Sequence, residues 1–152
     1  MKAALTILAT RSCSEGQLRD RLGAKGWAEA SLIEDCIKRL KELGYVNDDL
    51  FAQGYASYRV SSKPLGRARL ARELAFKKVP RNSINEALDK VFEEVPEETL
   101  IDRAIVRRMR SHGQPADRGA VKRMFDHLAR LGFEYDLIVR KLNALKENTD
   151  RE

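Results

Sequence analysis

The chain has 152 residues, of which 43% are hydrophobic and 34% charged, and its formal net charge is +6. This length can bury an ordinary core, as one compact domain or as an elongated array of small units. The composition is typical of a soluble helical protein and excludes a disordered chain. The apolar run from Ala3 to Ala9 is too short to cross a bilayer and lacks a signal-peptide cleavage region, so we expect a cytoplasmic location. Cys13 and Cys36 lack metal-type spacing and are predicted to be free thiols.

Three helices are predicted in the first third of the chain. Lys2 to Thr10 forms a short apolar helix, and Ser14 with Gln17 forms a capping box that opens the second helix. Gly26 ends that helix, and Trp27 follows as an apolar anchor. A third helix is indicated by an amphipathic stripe of Leu32, Ile33, Cys36, Ile37 and Leu40.

The middle third repeats this organisation. Asn47 or Asp48 caps a fourth helix, and a fifth helix is predicted over residues 66–77. Ser83 and Glu86 form a second predicted capping box, which opens a sixth helix. The fourth helix carries the apolar or aromatic residues Phe51, Ala52, Tyr55, Ala56 and Tyr58.

A third unit runs from Pro96, with a break between Gly113 and Pro115. Its first helix is centred on Leu100, Ile101, Ala104 and Ile105. Its second helix is indicated by Val121, Met124, Phe125 and Leu128, and its third by Ile138, Val139 and Leu142.

The three units have a common spacing. Pairs of large apolar residues recur at offsets of 52 and 54 residues, each followed five residues later by an apolar anchor. The pairs are Leu18 and Leu22, Leu70 and Leu74, and Met124 and Leu128, and the anchors are Trp27, Val79 and Phe133. This regularity predicts an all-α fold of three tandem three-helix repeats in an elongated, curved array. The predicted divisions are 1–47, 48–95 and 96–147, with a disordered tail at 148–152.

One position breaks the repeat. Gly26 and Gly132 occupy the stop position of the second helix in the first and third units, but Lys78 occupies it in the middle unit. A lysine in a left-handed conformation costs roughly 1 kcal/mol. Either this turn differs from the other two, or the fold tolerates the strain.

The positive charge is unevenly distributed. Between Arg59 and Arg81 there are eight basic residues against Glu73 alone, and between Asp102 and Arg123 there are seven basic residues against two acidic. Such banding favours a polyanion or an acidic protein surface as partner, although solvated helix faces would also explain it.

Four segments carry a resemblance to a known family. They are SEGQLRDRL (14–22), LGYVNDDLF (43–51), GRARLAREL (66–74) and LARLGF (128–133). Together they resemble the RecX family of bacterial proteins that regulate the recombinase RecA, and the match extends from Ala4 to Leu142. The resemblance implies three tandem three-helix repeats. It also implies a monomer that binds the RecA filament on single-stranded DNA, within its helical groove. There it would limit recombinase, ATPase and co-protease activity in DNA repair and the SOS response.

The candidate binding residues lie on the basic helices. With Leu70 and Leu74 directed inward, Arg69, Arg72 and Phe76 share an outward flank. An aromatic residue among arginines can anchor a protein contact or stack on a base. The full set of candidates for RecA or DNA binding is Arg59, Lys63, Arg67, Arg69, Arg72, Phe76, Arg107, Arg108, Lys122 and Arg123.

The sequence gives little support for catalysis. His112 and His127 have no cysteine or carboxylate at ligand or triad spacing, and we interpret them as structural or solvent-facing. Asp48 and Asp49 are better explained as helix caps than as a metal pair, and no glycine-rich phosphate loop is present. We therefore expect no enzyme activity, cofactor, metal or membrane contact. Two alternatives to a filament regulator stay open, namely a free-standing DNA-binding protein and a purely protein-binding helical adaptor.

Overall fold

The computed structural model describes residues 1–26 and 28–152, and this part of the chain contains nine α-helices and no strand. The helices are α1 (Lys2–Thr10), α2 (Glu15–Ala24), α3 (Ala30–Glu42), α4 (Asp48–Ser62), α5 (Arg67–Phe76), α6 (Arg81–Glu94), α7 (Glu97–His112), α8 (Arg118–Arg130) and α9 (Tyr135–Asp150). The predicted all-α fold of three tandem three-helix repeats is confirmed. Trp27, the predicted anchor of the first repeat, lies outside the described residues.

The buried apolar residues form two separate clusters. Helices α1 to α3 surround a first core, which consists of Ala4, Cys13, Leu18, Ile33, Ile37, Leu40 and Val46. Repeats 2 and 3 share a larger second core, which runs from Ala52 on α4 to Ile138 on α9. Leu70 and Leu74 contribute to the second core with no exposed surface. Continuous burial of apolar surface therefore joins repeats 2 and 3 but does not extend into repeat 1.

Side-chain capping marks the start of three helices in the described part of the chain, namely α2, α4 and α8. The predicted capping box is present, with Ser14 Oγ accepting from the Gln17 amide at 3.1 Å and Gln17 Oε1 accepting from the Ser14 amide at 3.2 Å. Asn47 caps α4 by accepting from the Leu50 amide. The second predicted capping box, at Ser83 and Glu86, is wrong because α6 begins at Arg81. Its N-cap is the preceding proline, whose fixed φ favours an earlier start of the helix.

Three residues of the predicted apolar faces are exposed. Leu32 is 58% exposed and Tyr58 is 68% exposed, while Val121 is also largely accessible. In each case a neighbour one turn away or less takes the buried position, such as Ile33 or Val60.

The free thiols are confirmed for Cys13, which is buried, and for Cys36.

Adjacent repeats meet end to end through their middle helices. In the first joint, between repeats 1 and 2, Ser14 at the start of α2 donates its hydroxyl to the Lys77 carbonyl at the end of α5. In the second joint, between repeats 2 and 3, the Gly66 amide at the start of α5 donates to the Leu131 carbonyl at the end of α8 at 2.8 Å. Helix dipoles α8, α5 and α2 therefore follow one another head to tail, which is a favourable electrostatic arrangement.

A carboxylate completes each joint. The Glu15 amide donates to Asp48 Oδ1 at 2.8 Å, and the Arg67 amide donates to Glu97 Oε1 at 2.6 Å. Asp48 and Glu97 are each the first residue of the first helix of the following repeat. Burial raises the pKa of both carboxyl groups, although the amide hydrogen bonds oppose the rise. These two residues therefore act as caps for the middle helix of the repeat before them.

The irregular stop residue adopts the left-handed conformation. Lys78 has a φ of 63°, compared with 66° at Gly26 and 95° at Gly132. The fold therefore keeps the same turn in all three repeats and tolerates the strain at the lysine. Lys78 also forms an ion pair with Asp20 of repeat 1, so this residue takes part in the first joint.

Candidate partner-binding surface

The outer face of α5 carries the most exposed large apolar side chain in the described part of the chain. Phe76 is 89% exposed, and Arg72, one turn earlier, is also exposed and forms no ion pair with any described residue. Leu70 and Leu74 point the other way into the second core. The predicted outward position of Arg72 and Phe76 is therefore observed, and we call these two residues the α5 face.

Arg59 is held inside the protein. Its guanidinium donates to both oxygens of Glu73, at 2.8 and 3.0 Å, and Tyr55 donates its hydroxyl to the same carboxylate at 2.9 Å. The Arg59 guanidinium holds the pKa of Glu73 below its usual range, and the Tyr55 hydroxyl adds to this effect. A bidentate pair of this kind fixes α4 against α5. The Arg59 side chain therefore serves mainly to stabilise the fold.

Two further arginines of the predicted set also have internal partners. Arg67 pairs with Asp89 on α6 at 2.8 Å. Arg69 lies 3.5 Å from Glu73 and donates weakly to the Arg130 carbonyl on α8. Both side chains are only partly exposed. The amphipathic pattern predicted which side of α5 faces outward, but it could not show that Arg67 and Arg69 have partners within the fold.

An open groove lies between α5 and α8. Its volume is about 830 Å³, and its lining consists of Arg69, Arg72, Glu73, Asp126, Ala129 and Arg130. Three arginines face two carboxylates, so the groove is mixed in charge with a positive excess. It adjoins the α5 face through Arg72.

A second cavity has a different chemistry. It lies where the ends of α4, α7 and α8 meet, and its volume is about 250 Å³. Its ionisable lining residues are Lys63, Arg107, Arg108, His112 and His127, and we call this cavity the basic pocket. The remaining lining residues are Pro64, Ala104, Ser111 and Leu131, so no carboxylate is present in the lining.

Burial lowers the pKa of His127, and the nearby positive charges of Arg108, Arg130 and Lys63 lower it further, together with His112. Lys63 and Arg108, in contrast to Arg59, form no ion pair within the described part of the chain. The structure therefore brings together three of the predicted residues, Lys63, Arg107 and Arg108, with two histidines that the sequence reasoning set aside. The helical pattern alone could not show that the ends of three helices converge here.

Lys122 and Arg123 lie on the exposed side of α8, away from the basic pocket. Arg123 is close to its own helix start, where its guanidinium would lie 3.3 Å from a Cβ added at Gly119. The ten predicted residues thus do not form one site. They divide into the α5 face, the basic pocket, an exposed pair on α8 and three arginines with internal partners.

Other site types receive no support from the described residues. No cluster of three or more His, Cys, Asp or Glu side chains in this part of the chain has a geometry suited to a metal ion. None of the described helices is long and apolar enough to span a bilayer. Fold and surface together define a helical-repeat protein with a basic, partly aromatic exterior.

Comparison with known proteins identifies the family. The profile described as the RecX second three-helix domain matches residues 47–88. The regulatory protein RecX of Syntrophotalea carbinolica is 31% identical over 133 residues, covering 86% of this chain and 86% of that protein. The RecX protein of Pelodictyon phaeoclathratiforme is 30% identical over 145 residues, covering 95% and 88%. The chain belongs to the RecX family of regulatory proteins.

The chain spans about two thirds of the length of one relative, and its fold agrees with the assignment. Against the RecX protein of Clostridioides difficile, which is 30% identical, the match covers 93% of this chain but 66% of the longer relative. The crystal structure of RecX from Lactobacillus salivarius superposes with a TM-score of 0.83 at 20% identity, covering 95% of this chain and 93% of that chain. A second crystal structure of a regulatory protein RecX gives a TM-score of 0.77 at 18% identity. These two structures establish the likeness of the fold.

Proposed function

We propose that this protein binds the RecA filament on single-stranded DNA and lowers its recombinase, ATPase and co-protease activities. It would act as a cytoplasmic monomer without catalysing a reaction of its own. Membership of the RecX family, whose match extends over most of the chain, supports this role. The observation that carries it on this chain is the exposure of Phe76 beside Arg72, which forms no ion pair within the part of the chain that the structure describes. Exposed aromatic and arginine side chains are the residue types that most often dominate binding energy at interfaces.

The charge of the surface fits a nucleoprotein partner. Unpaired basic residues in the basic pocket and on α8 provide attraction for phosphate, whereas Phe76 provides an anchor for a protein surface. A filament of protein on DNA offers both kinds of partner at once. Several weak contacts on one chain then combine into a stronger interaction.

The test is ATP hydrolysis by preformed RecA filaments on single-stranded DNA. We expect the rate to fall as this protein is added, and we expect no hydrolysis by the protein alone. Binding to filaments and to bare DNA would be compared at the same salt concentration, because phosphate contacts weaken steeply with salt. An unchanged rate with the protein in stoichiometric excess would remove the proposal.

The basic pocket favours one second candidate, a protein that binds DNA without RecA. In that case bare single-stranded DNA would be bound as tightly as the filament under matched conditions. Preferential binding to the filament would exclude this candidate and retain the regulator.

A further inference from the structure

The basic pocket brings three cationic side chains and two histidines together in a lining that contains no carboxylate. Lys63, Arg107 and Arg108 form no ion pair within the described residues, whereas the basic residues on α9 at Arg140 and Lys141 pair with α7 carboxylates. Its volume of about 250 Å³ is sufficient for a tetrahedral anion with several waters, since a water occupies about 30 Å³. The cavity is thus both positive and large enough to hold an anion.

The repeat itself provides an internal comparison. Arg59 is the twelfth residue of α4, and Arg108 is the twelfth residue of α7. Glu73 lies four residues before the C-cap of α5, and His127 lies four residues before the C-cap of α8. In repeat 2 the carboxylate neutralises the arginine through two hydrogen bonds. In repeat 3 the equivalent residue is a histidine, so Arg108 keeps its charge available.

The ends of the surrounding helices do not cancel this charge. Helices α4, α7 and α8 end at the pocket, and each helix C-terminus carries roughly half a negative charge. The end of α8 is already occupied, because its carbonyls at Leu131 and Gly132 accept from amides at the start of α5. The other two ends together contribute about one negative charge, against the three cations of the lining.

We propose that the basic pocket binds a phosphate group, with Arg108 and Lys63 as its principal ligands, and that His127 takes up a proton when the anion enters. Arginine can present two parallel N–H donors to phosphate oxygens, and lysine adds a compact charge. A histidine gains a third charge-assisted donor on protonation. The phosphate could belong to a nucleic-acid backbone or to a small free anion, and both share this chemistry.

The direction of the pH dependence follows from the surroundings of His127. The charged groups that face it are Lys63 from α4, Arg108 and His112 from α7, and Arg130 from α8. All of them disfavour its protonation, and burial acts in the same direction, so its pKa is lowered. A bound anion offsets this repulsion and favours the protonated form. Affinity for the anion should therefore rise as pH falls.

The test uses sulfate with the full chain. Sulfate stays a dianion between about pH 5.5 and about pH 8, so any pH dependence belongs to the protein. The chain has two histidines, which makes the imidazole signals easy to follow by NMR. We expect sulfate to bind about tenfold more tightly at the lower pH, and to raise the pKa of His127 relative to chloride at the same ionic strength.

Two variants test the site itself. His127→Glu recreates the Glu73 arrangement and should abolish sulfate binding by pairing with Arg108, while Ser31→Glu on α3 adds the same charge in repeat 1 and should leave binding unchanged. Arg108→Ala should also abolish binding, whereas Arg110→Ala, on the same helix outside the lining, should reduce it little. Amide signals of residues 107–112 report binding where His127 is absent.

The outcomes are separable. Competition between sulfate and a short thymidine oligonucleotide for the wild-type pocket, together with weaker oligonucleotide binding by His127→Glu, would identify a nucleic-acid backbone as the source. Sulfate binding without such competition would identify a small free anion. An unchanged pKa of His127 in sulfate, or equal sulfate binding by wild type and Arg108→Ala, would overturn the proposal.

Discussion

Lys78 is the residue at which the repeat and the local backbone preference conflict. Its φ of 63° is one that β-carbon-bearing residues adopt at a cost of roughly 1–2 kcal/mol, and two of the three repeats use glycine there. The lysine forms an ion pair with Asp20 and contacts Gly16, where an added Cβ would lie 2.7 Å from the Lys78 Cβ. Both side chains of the ion pair are more than half exposed, so the pair itself contributes little.

Replacement of Lys78 by glycine should therefore increase the free energy of unfolding by about 1 kcal/mol, because the left-handed strain disappears. Urea denaturation of wild type and Lys78→Gly would measure the change. Lys78→Ala removes the same ion pair but keeps the strained φ, so it should show no gain. Equal stability of the glycine and alanine variants would contradict this explanation.

The sequence allowed the conflict at Lys78 to be recognised, because the three repeats align and two of them have glycine at this place, but it left open whether the turn would differ or the strain would be tolerated. It did not allow the role of Arg59 to be predicted. The helical pattern marks which side of α4 faces outward, but the Glu73 partner comes from another helix, whose position depends on packing. The same limit explains why His127 was set aside.

At the scale of the helices, the second joint depends on a close approach of two backbones. Gly66 is buried at the start of α5, and a Cβ there would overlap the backbone of Gly132 and Phe133. Its φ of −87° is one that any residue adopts, so the glycine is required only for space. Gly54, within α4, has no neighbour within 4 Å of an added Cβ.

Gly66→Ala and Gly54→Ala should therefore change stability in opposite directions. The first should destabilise the protein by about 1–3 kcal/mol, because overpacking separates α5 from the end of α8. The second should stabilise it by about 0.5–1 kcal/mol, because alanine favours the helix. Thermal unfolding of both variants measures the two effects, and a neutral Gly66→Ala would mean that the joint is looser than described.

The existence and order of the helices could be predicted from the sequence, because apolar spacing, glycine stops and capping residues act locally. The start of α6 was not, since Pro80 and Ser83 both favour a helix start and proline prevailed. The hydrogen bonds from the Glu15 and Arg67 amides to Asp48 and Glu97 could not be predicted from the sequence either, because they depend on how whole repeats are arranged.

For the whole molecule, the proposed contact with a filament places distinct demands on Phe76 and Arg72. Phe76→Ala should weaken filament binding at every salt concentration, because burial of an aromatic ring is not screened. Arg72→Glu should weaken it mainly at low salt. Fold stability should change by less than about 0.5 kcal/mol in either variant, since both side chains are exposed.

The measurement is a titration of labelled filaments at two salt concentrations. Lys38→Glu on the exposed surface of α3 is the matched charge reversal in repeat 1 and should have a smaller effect. If both Phe76→Ala and Arg72→Glu bound the filament as tightly as wild type, the α5 face would not contact the filament. The contact would then involve the basic pocket or the exposed pair Lys122 and Arg123.

The two joints of the array should differ in mechanical stiffness. The second joint lies over a continuous apolar core, whereas the first is held chiefly by polar contacts around Ser14, Asp48 and Lys78. When a force acts along the array, both joints transmit it, and the less stiff joint undergoes most of the displacement. A partner that bends this protein should therefore rotate repeat 1 relative to repeats 2 and 3. Repeats 2 and 3 should move together as one rigid body.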